Sequence, residues 1–402
     1  MLHFVLLIVC AIVIYLSCEW FVNAVEWLGQ RLDVGKMAVG TILAAFGTAL
    51  PESVVTLVAV TTGGTAEAKD IGVGAAMGGP LALATVAYAV TGTALLLRRR
   101  TLRAHSMAGP RADSTAGRHT GPDVGSDVGS DVGPDVGPDA GPDAGRHADP
   151  AAGSDAERRA RADADAGAGE SDVLTGPGDA ARLAGDQRWF LAVFVVKVTL
   201  GLVAFAFKPW LGLLFFATYA VYFWREMRGH GEPGGDDEHG DLEPLRFQPR
   251  RAAPTTWAVV AQTLVTLAVI FVASQLFVHQ LDAIGPMIGL PAAVTALLLS
   301  PIATELPEIM NAIIWVRQGK TKLALANISG AMMIQATVPS GLGLLFTKWE
   351  FDTALAWSGL VTAAAIVYLL ATLRAHRLTP ARLAVAGLFY VVFAAGLVPI
   401  LS

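Results

Sequence analysis

Three carboxylates, Glu52, Glu305 and Glu308, lie inside long apolar stretches of this chain. A carboxylate at membrane depth is costly unless it is paired, solvated or bound to a cation. Each is close to a helix-breaking proline, in Leu50-Pro51-Glu52 and in Glu305-Leu306-Pro307-Glu308. Proline donates no backbone hydrogen bond and clashes with the preceding turn, which frees carbonyl oxygens. Irregular backbone survives at that depth only where it is buried in protein or lines a wet cavity. Freed carbonyls, the hydroxyls of Thr48 and Thr304 and the glutamate oxygens together make a hard oxygen-donor cage, suited to sodium or calcium. The plainer reading is a proline kink beside a neutral, hydrogen-bonded Glu. Two matching sites with three carboxylates weigh against it.

Other polar residues admit two readings each. Asn327, Ser329 and Gln335 belong to one apolar stretch. Positions 327, 331 and 335 share a helix face, so Asn327 and Gln335 are either further ligands in the same cavity or helix–helix hydrogen-bonding groups. Lys197 lies mid-way along another apolar stretch and is read as snorkelling or pairing rather than transporting. Glu19, Glu26 and Asp282 fall near the ends of apolar stretches and are read as solvated. No HExxH, GxSxG, Walker loop or CxxC occurs, so the chain is not read as an enzyme. No cofactor is expected. The implied partners are inorganic cations (calcium and/or sodium, with protons a further candidate) and the lipid bilayer; nucleic acid is not among them, and protein partners are not legible.

The elements that must carry these groups are membrane helices. Hydrophobic residues make up 53% of the chain and charged ones 16%, and the apolar residues cluster in runs long enough to cross a bilayer. Ten spans are read, near 3–27, 37–62, 70–97, 188–207, 209–225, 255–280, 288–316, 321–347, 353–373 and 380–400. The fourth and fifth form a tight hairpin around Lys208 and Pro209. The first is read as a span and not a signal peptide, for it has no basic leading segment and no small-residue cleavage site. Cys10 and Cys18 both lie in it, two turns apart on one helix, where they cannot bridge; they are read as packing residues. Lys and Arg set the orientation. With the N-terminus outside, the inner loops receive Arg31, Arg98, Arg228, Arg317, Arg374 and their basic neighbours, and the outer loops only Lys69, Lys208 and Lys348. Both termini then face outward from a plasma membrane.

Residues 104–187 hold 16 acidic and 7 basic residues, a balance of -9, so the chain's net charge of -5 arises in this insertion and the remainder is about +4. Its centre is a four-residue Gly/Pro/Asp repeat, GPDVGSDVGSDVGPDVGPDAGPDAG. Gly and Pro at this density hold neither helix nor strand, and few large apolar side chains offset the ordering entropy. A calcium sensor is set aside because the spacing fits neither the nine-residue calcium-binding repeat nor the EF-hand loop. The expected organisation is therefore 1–103 (spans one to three of a first repeat), a disordered cytoplasmic linker 104–187, 188–228 (spans four and five), a cytoplasmic loop 229–254, and 255–402 (a second repeat).

Shifting the sequence by 256 positions makes a pattern coincide. Glu26 falls on Asp282, Gly29 on Gly285, Thr48 on Thr304, Pro51 on Pro307, Glu52 on Glu308, Gly74 on Gly330 and Met77 on Met333. Five spans per copy is an odd number, so the second copy enters from the opposite side. The predicted fold is all-α and integral to the membrane, ten helices as two inverted five-helix repeats. Such architectures bind substrate near the midplane, where discontinuous helices of the two halves meet.

These residues resemble the calcium/cation antiporter superfamily, the sodium/calcium exchanger family, of which the chain looks like a divergent member. That family carries a Gly-Thr-Ser-Leu-Pro-Glu motif in each of two inverted repeats, with a Gly-Asn-x-x-Gly-Ser-Asn type motif later in each. Here the first motif reads Gly47-Thr48-Ala49-Leu50-Pro51-Glu52 and Ala303-Thr304-Glu305-Leu306-Pro307-Glu308. The later one reads Asn327-Ile328-Ser329-Gly330-Ala331 in the second half and is eroded around Gly74-Ala75-Ala76-Met77 in the first. The resemblance implies ion-binding Thr48, Glu52, Thr304 and Glu308. Ala49 replaces a serine ligand and Glu305 its counterpart. Ala75 and Ala331 stand where the family has serines, and Gly79 and Gln335 where it has Asn or Asp. Three acidic groups in one cavity repel when all are ionised, so at least one holds a proton or a cation. The implied function is secondary antiport of calcium or a related cation against sodium or protons. A cation channel or a transport-inactive homologue is the alternative.

Overall fold

A computed structural model describes residues 2–33, 38–61, 66–107, 173–203, 207–228, 242–287, 289 and 298–401. Main-chain groups in a bilayer must be satisfied within their own segment, which leaves helices and closed barrels. The regular structure of the described residues is entirely helical. Helix α1 is Leu2–Arg31 and α2 is Ala45–Thr61, entered through a π-helical turn at Val39–Ala44. Helix α3 (Ala66–Ala82) runs through a second π turn, Leu83–Ala87, into α4 (Tyr88–Met107). Helix α5 is Pro177–Leu202, and a short 3₁₀ turn at Lys208–Trp210 leads into α6, Leu211–Arg228. Then come α7 (Thr256–Met287), α8 (Ser300–Thr304), α9 (Leu306–Gln318), α10 (Thr321–Phe346) and α11 (Thr353–Arg374), and finally α12 (Pro380–Val385) and α13 (Gly387–Leu401).

Helix thus occurs in each of the ten segments expected to span. Six stretches among the described residues are long and apolar enough to cross a membrane: Leu2–Arg31, Gly72–Leu102, Thr256–Gly285, Thr321–Phe346, Thr353–Arg374 and Pro380–Leu401. The chain is a multi-pass membrane protein. Helix α10 is central. Nearly every side chain from Leu323 to Thr337 is buried, and α10 packs on α2, α3, α5, α6 and α9. Helices α1, α7 and α13 are peripheral, and Ile8, Ile12, Val265, Val272, Val391 and Val398 stand exposed on them. Apolar faces of that extent are stable in contact with lipid rather than water.

Local signals set the helix ends. Gly319 follows α9 at φ +85°, and Lys320 N–H reaches the Trp315 carbonyl at 2.8 Å while Gly319 N–H bonds Val316. That is the paired closure that a left-handed residue allows. Asp352 caps α11 by accepting from Leu355 N–H at 2.7 Å. Ion pairs and close approaches tie together the segments expected to lie inside. Lys322 meets Asp179 at 2.8 Å, Lys320 pairs with Glu26, Arg182 pairs with Glu226, Leu174 N–H bonds the Leu378 carbonyl, and Arg98 lies over Gly319. At the opposite end His3 Nδ1 lies 2.7 Å from Gln280 Oε1 and Phe351 N–H bonds Gly201.

Four expectations need correction. Residues 177–187, assigned to the linker, are the first turns of the 26-residue helix α5. Ala180, Leu183, Ala184 and Asp186 are buried there, and α4 likewise continues to Met107. Pro177 at the first helical position, Asp179 in the first turn and an Ala-rich continuation form a start signal that the surrounding Gly/Asp composition masks. The rest of the linker, 108–172, lies outside the described residues. Glu26 is not solvated: it is largely buried and accepts from Trp315 Nε1 at 2.8 Å as well as from Lys320. Lys197 does not snorkel and is fully buried. The two motif helices are also unalike. The second is broken at Glu305 (φ -87°, ψ 6°) between α8 and α9, whereas the first continues as helix from Ala45 to Thr61 and is irregular only in the π turn before it. Asp282's side chain lies outside the described residues. Cys10 and Cys18 are buried and free, as expected.

The chain divides into two compact units, Met1–Arg99 with Val173–Ser402 and Arg100–Asp172. Deleting 109–172 behind a Gly/Ser tether is expected to leave the melting temperature and the elution profile in detergent unchanged, because so polar a segment buries little apolar surface. Loss of folding in that variant would reveal a domain that composition conceals.

Candidate functional site

The break at Glu305 is the feature on which the site is built. Helix α8 ends at Thr304 and α9 begins at Leu306, which makes Glu305 the residue flanking α9 and puts Glu308 in its first turn. Orphan N–H groups and the helix dipole make a helix N-terminus favourable for carboxylates. Pro307 fits the start of α9 because its missing N–H has no partner there anyway, and it cannot give the Ala303 carbonyl its usual donor four residues on. Glu305 is 0% and Glu308 1% exposed. Gln335 Nε2 of α10 donates to Glu305 Oε1 at 2.7 Å. Asn327 Nδ2 donates to the Glu308 backbone carbonyl at 3.2 Å, and the Cys18 thiol points to the Pro307 carbonyl at 3.7 Å.

Two buried amide oxygens, Asn327 Oδ1 and Gln335 Oε1, have no hydrogen-bond partner among the described residues. Each side chain is held by its NH₂ group, which leaves its carbonyl oxygen able to accept. Inside α10, Pro339 cannot give the Gln335 backbone carbonyl its usual donor four residues on. Thr48 Oγ1 donates to Ala44 O, and Thr304 Oγ1 to Pro301 O, both at 3.1 Å. A hydroxyl that spends its proton within its own helix presents lone pairs outward. The Glu52 side chain lies outside the described residues.

The structure therefore brings Glu305 together with Gln335, and the Glu308 backbone with Asn327. Thr48 and Thr304 are placed by bonds within their own helices. Sequence reasoning noted Gly79 only as a missing ligand; the structure gives it a packing role. A Cβ at Gly79 would lie 2.5 Å from Gln335 Oε1 and 2.7 Å from Glu305 Oε1. The Glu305–Gln335 pair fills the volume that a side chain at 79 would need, so the larger residues at 305 and 335 and the absent one at 79 form a single packing solution. Close helix crossing supports it. A Cβ at Gly330 would lie 2.1 Å from the Thr41 carbonyl oxygen, and one at Gly40 2.8 Å from the Ala326 Cβ, so the π turn lies backbone-to-backbone on α10. Small residues at such crossings are the usual means of close approach between membrane helices. The spacing of Gly40 and Gly330 gave no hint that Gly40 faces Ala326 and Gly330 faces Thr41.

The family model described as "Sodium/calcium exchanger protein" matches residues 2–109 and 258–398, well over half of the chain. A curated protein of Alkalimonas amylolytica named "Putative antiporter CaxA" is 30% identical over 141 residues, which are 34% of this chain and 44% of that protein. The match thus spans less than half the length of this relative. Solved structures of the sodium-calcium exchanger NCX_Mj share the fold. One, soaked with sodium and calcium, superposes with TM-score 0.63 at 14% identity over 99% of both chains. Another, soaked with sodium and no calcium, gives 0.62 at 15% identity over 98% of this chain and 99% of that one. By the family match, and with buried motif carboxylates at the break in its second motif helix, the chain belongs to the sodium/calcium exchanger protein family.

Proposed function

We propose that this protein is a secondary active antiporter that exchanges calcium, or a related cation, for sodium or protons by alternating access around a midplane carboxylate site. The observation that carries this reading is the burial of Glu305 and Glu308 near the amides of Gln335 and Asn327, whose oxygens have no hydrogen-bond partner among the described residues. Buried acids next to uncommitted hard oxygens suit a desolvated cation. Membership of a transporter family supports reading this as a transport site rather than an enzyme's. In this reading Thr48, Glu52, Thr304, Glu305, Glu308, Asn327 and Gln335 are ligands, contributed by two inverted five-helix repeats. The contacts among the basic-rich segments, from Arg98 over Gly319 to Lys322 with Asp179, support placing them all on one face, the cytoplasmic one. Both termini then lie outside, in a plasma membrane.

The test is calcium uptake into proteoliposomes under imposed sodium or proton gradients. Uptake that requires a counter-ion gradient is expected. Uptake driven by voltage alone would make the chain a channel, and no uptake under any gradient an inactive homologue.

Protons compete with metal for carboxylate oxygens, so initial flux is expected to fall as pH drops. Glu305 is the carboxylate this chain adds to the family pattern, and Glu305→Ser removes it while restoring the family's residue. That variant is expected to keep some flux and to flatten the profile measured across roughly pH 6 to 9, a window that brackets documented buried carboxyls. An unchanged profile would place Glu305 outside the ion site.

A further inference from the structure

Lys197 lies in the last two turns of α5 and is fully buried. Its Nζ donates to the Ala76 carbonyl of α3 at 2.8 Å and sits 4.9 Å from the centre of the Phe194 ring. Its partners among the described residues are thus a carbonyl and a ring face, and not a carboxylate. A lysine placed so deep without an acid needs a reason.

Pro80 supplies that reason. It stands inside α3, four residues after Ala76, at the position whose N–H would close the turn onto the Ala76 carbonyl. Proline has no such N–H, and a carbonyl buried without a donor is destabilising. Lys197, 121 positions away in sequence, brings an N–H to the orphan oxygen. The stretch in question, Ala76–Pro80, contains Gly79, which faces Glu305 Oε1 and Gln335 Oε1 closely enough to leave no room for a Cβ. Trp349 Nε1 in turn bonds the Lys197 carbonyl at 3.0 Å, which fixes α5 at the same level.

We propose that Lys197 is a positioning residue whose ammonium stands in for the backbone N–H that Pro80 lacks, and so fixes the part of α3 that packs on the Glu305–Gln335 pair. It touches no transported ion in this scheme; it acts through Ala76 and Gly79. The consequence for transport rests on the antiporter reading above, whereas the consequence for packing does not.

The experiment is a double-mutant cycle on the full chain, read by melting in detergent and by uptake kinetics in proteoliposomes. Lys197→Met is expected to lower the melting temperature and to raise the calcium concentration for half-maximal uptake several-fold, with a smaller change in maximal rate. Lys197→Gln, which keeps an N–H donor on a shorter stem, is expected to fall between Met and wild type. Pro80→Ala restores the missing N–H, so Lys197→Met in that background is expected to cost less than half its shift in the Pro80 chain. An equal melting cost in both backgrounds, or Gln no better than Met, overturns the proposal. A wild-type chain that melts cooperatively but takes up no calcium would count against the antiporter, and the melts alone would then judge Lys197.

Discussion

Glu308→Gln is expected to abolish cation uptake while the protein still inserts, elutes and melts like the wild type. The substitution keeps the side chain's shape, replaces one acceptor oxygen with a donor NH₂ and removes one charge. Glu308 is 1% exposed in the first turn of α9, where water cannot replace that charge for a bound cation. Removing one partner of a buried ion pair costs about 3–5 kcal/mol, which at 1.4 kcal/mol per tenfold is a loss of roughly 100- to 4,000-fold in affinity. Initial calcium uptake at a fixed gradient measures it. Glu52→Gln is expected to do the same on the strength of the repeat, Glu52 occupying in the first half the place of Glu308 in the second. Near-normal exchange by either single variant would remove that residue from the site.

The second large effect is expected at Gly330, with its repeat partner as the control. A Cβ at 330 would lie 2.1 Å from a backbone oxygen and 2.6 Å from the carbonyl carbon and Cα of Thr41. No side-chain rotation relieves a clash with main chain, so the π turn and α10 must separate. Overpacking in a close-packed interior costs about 1–3 kcal/mol, and the upper end applies where backbone must move. Gly330→Ala is therefore expected to lower the melting temperature by several degrees and to strip uptake, because Asn327 rides on the displaced turn of α10. Gly74 is its equivalent under the 256-residue shift, yet a Cβ there meets nothing within 4 Å. Gly74→Ala is expected to melt and transport as wild type. Equal sensitivity at the two positions would mean that the crossing at Thr41 is not what holds α10 in place.

That contrast marks the division between sequence and tertiary structure. The sequence by itself determined the all-helical membrane class and the two Leu-Pro-Glu motifs, because hydropathy and proline chemistry act over a few neighbouring residues. It also singled out Glu305, whose type is anomalous in its own motif. It misread 177–187, where a buried helical face hides in linker-like composition, and Glu26, whose partners Trp315 and Lys320 are distant in the chain. Only the tertiary structure decided that the second motif helix breaks while the first continues, that Glu305 and Gln335 occupy the room left by Gly79, and that Lys197 answers Pro80. Each of these depends on which backbone comes within bonding distance of which side chain across 30 or more residues. Local pattern carries no record of such meetings, since a freed carbonyl and a buried ammonium look alike in sequence wherever they point, and only close packing brings them together.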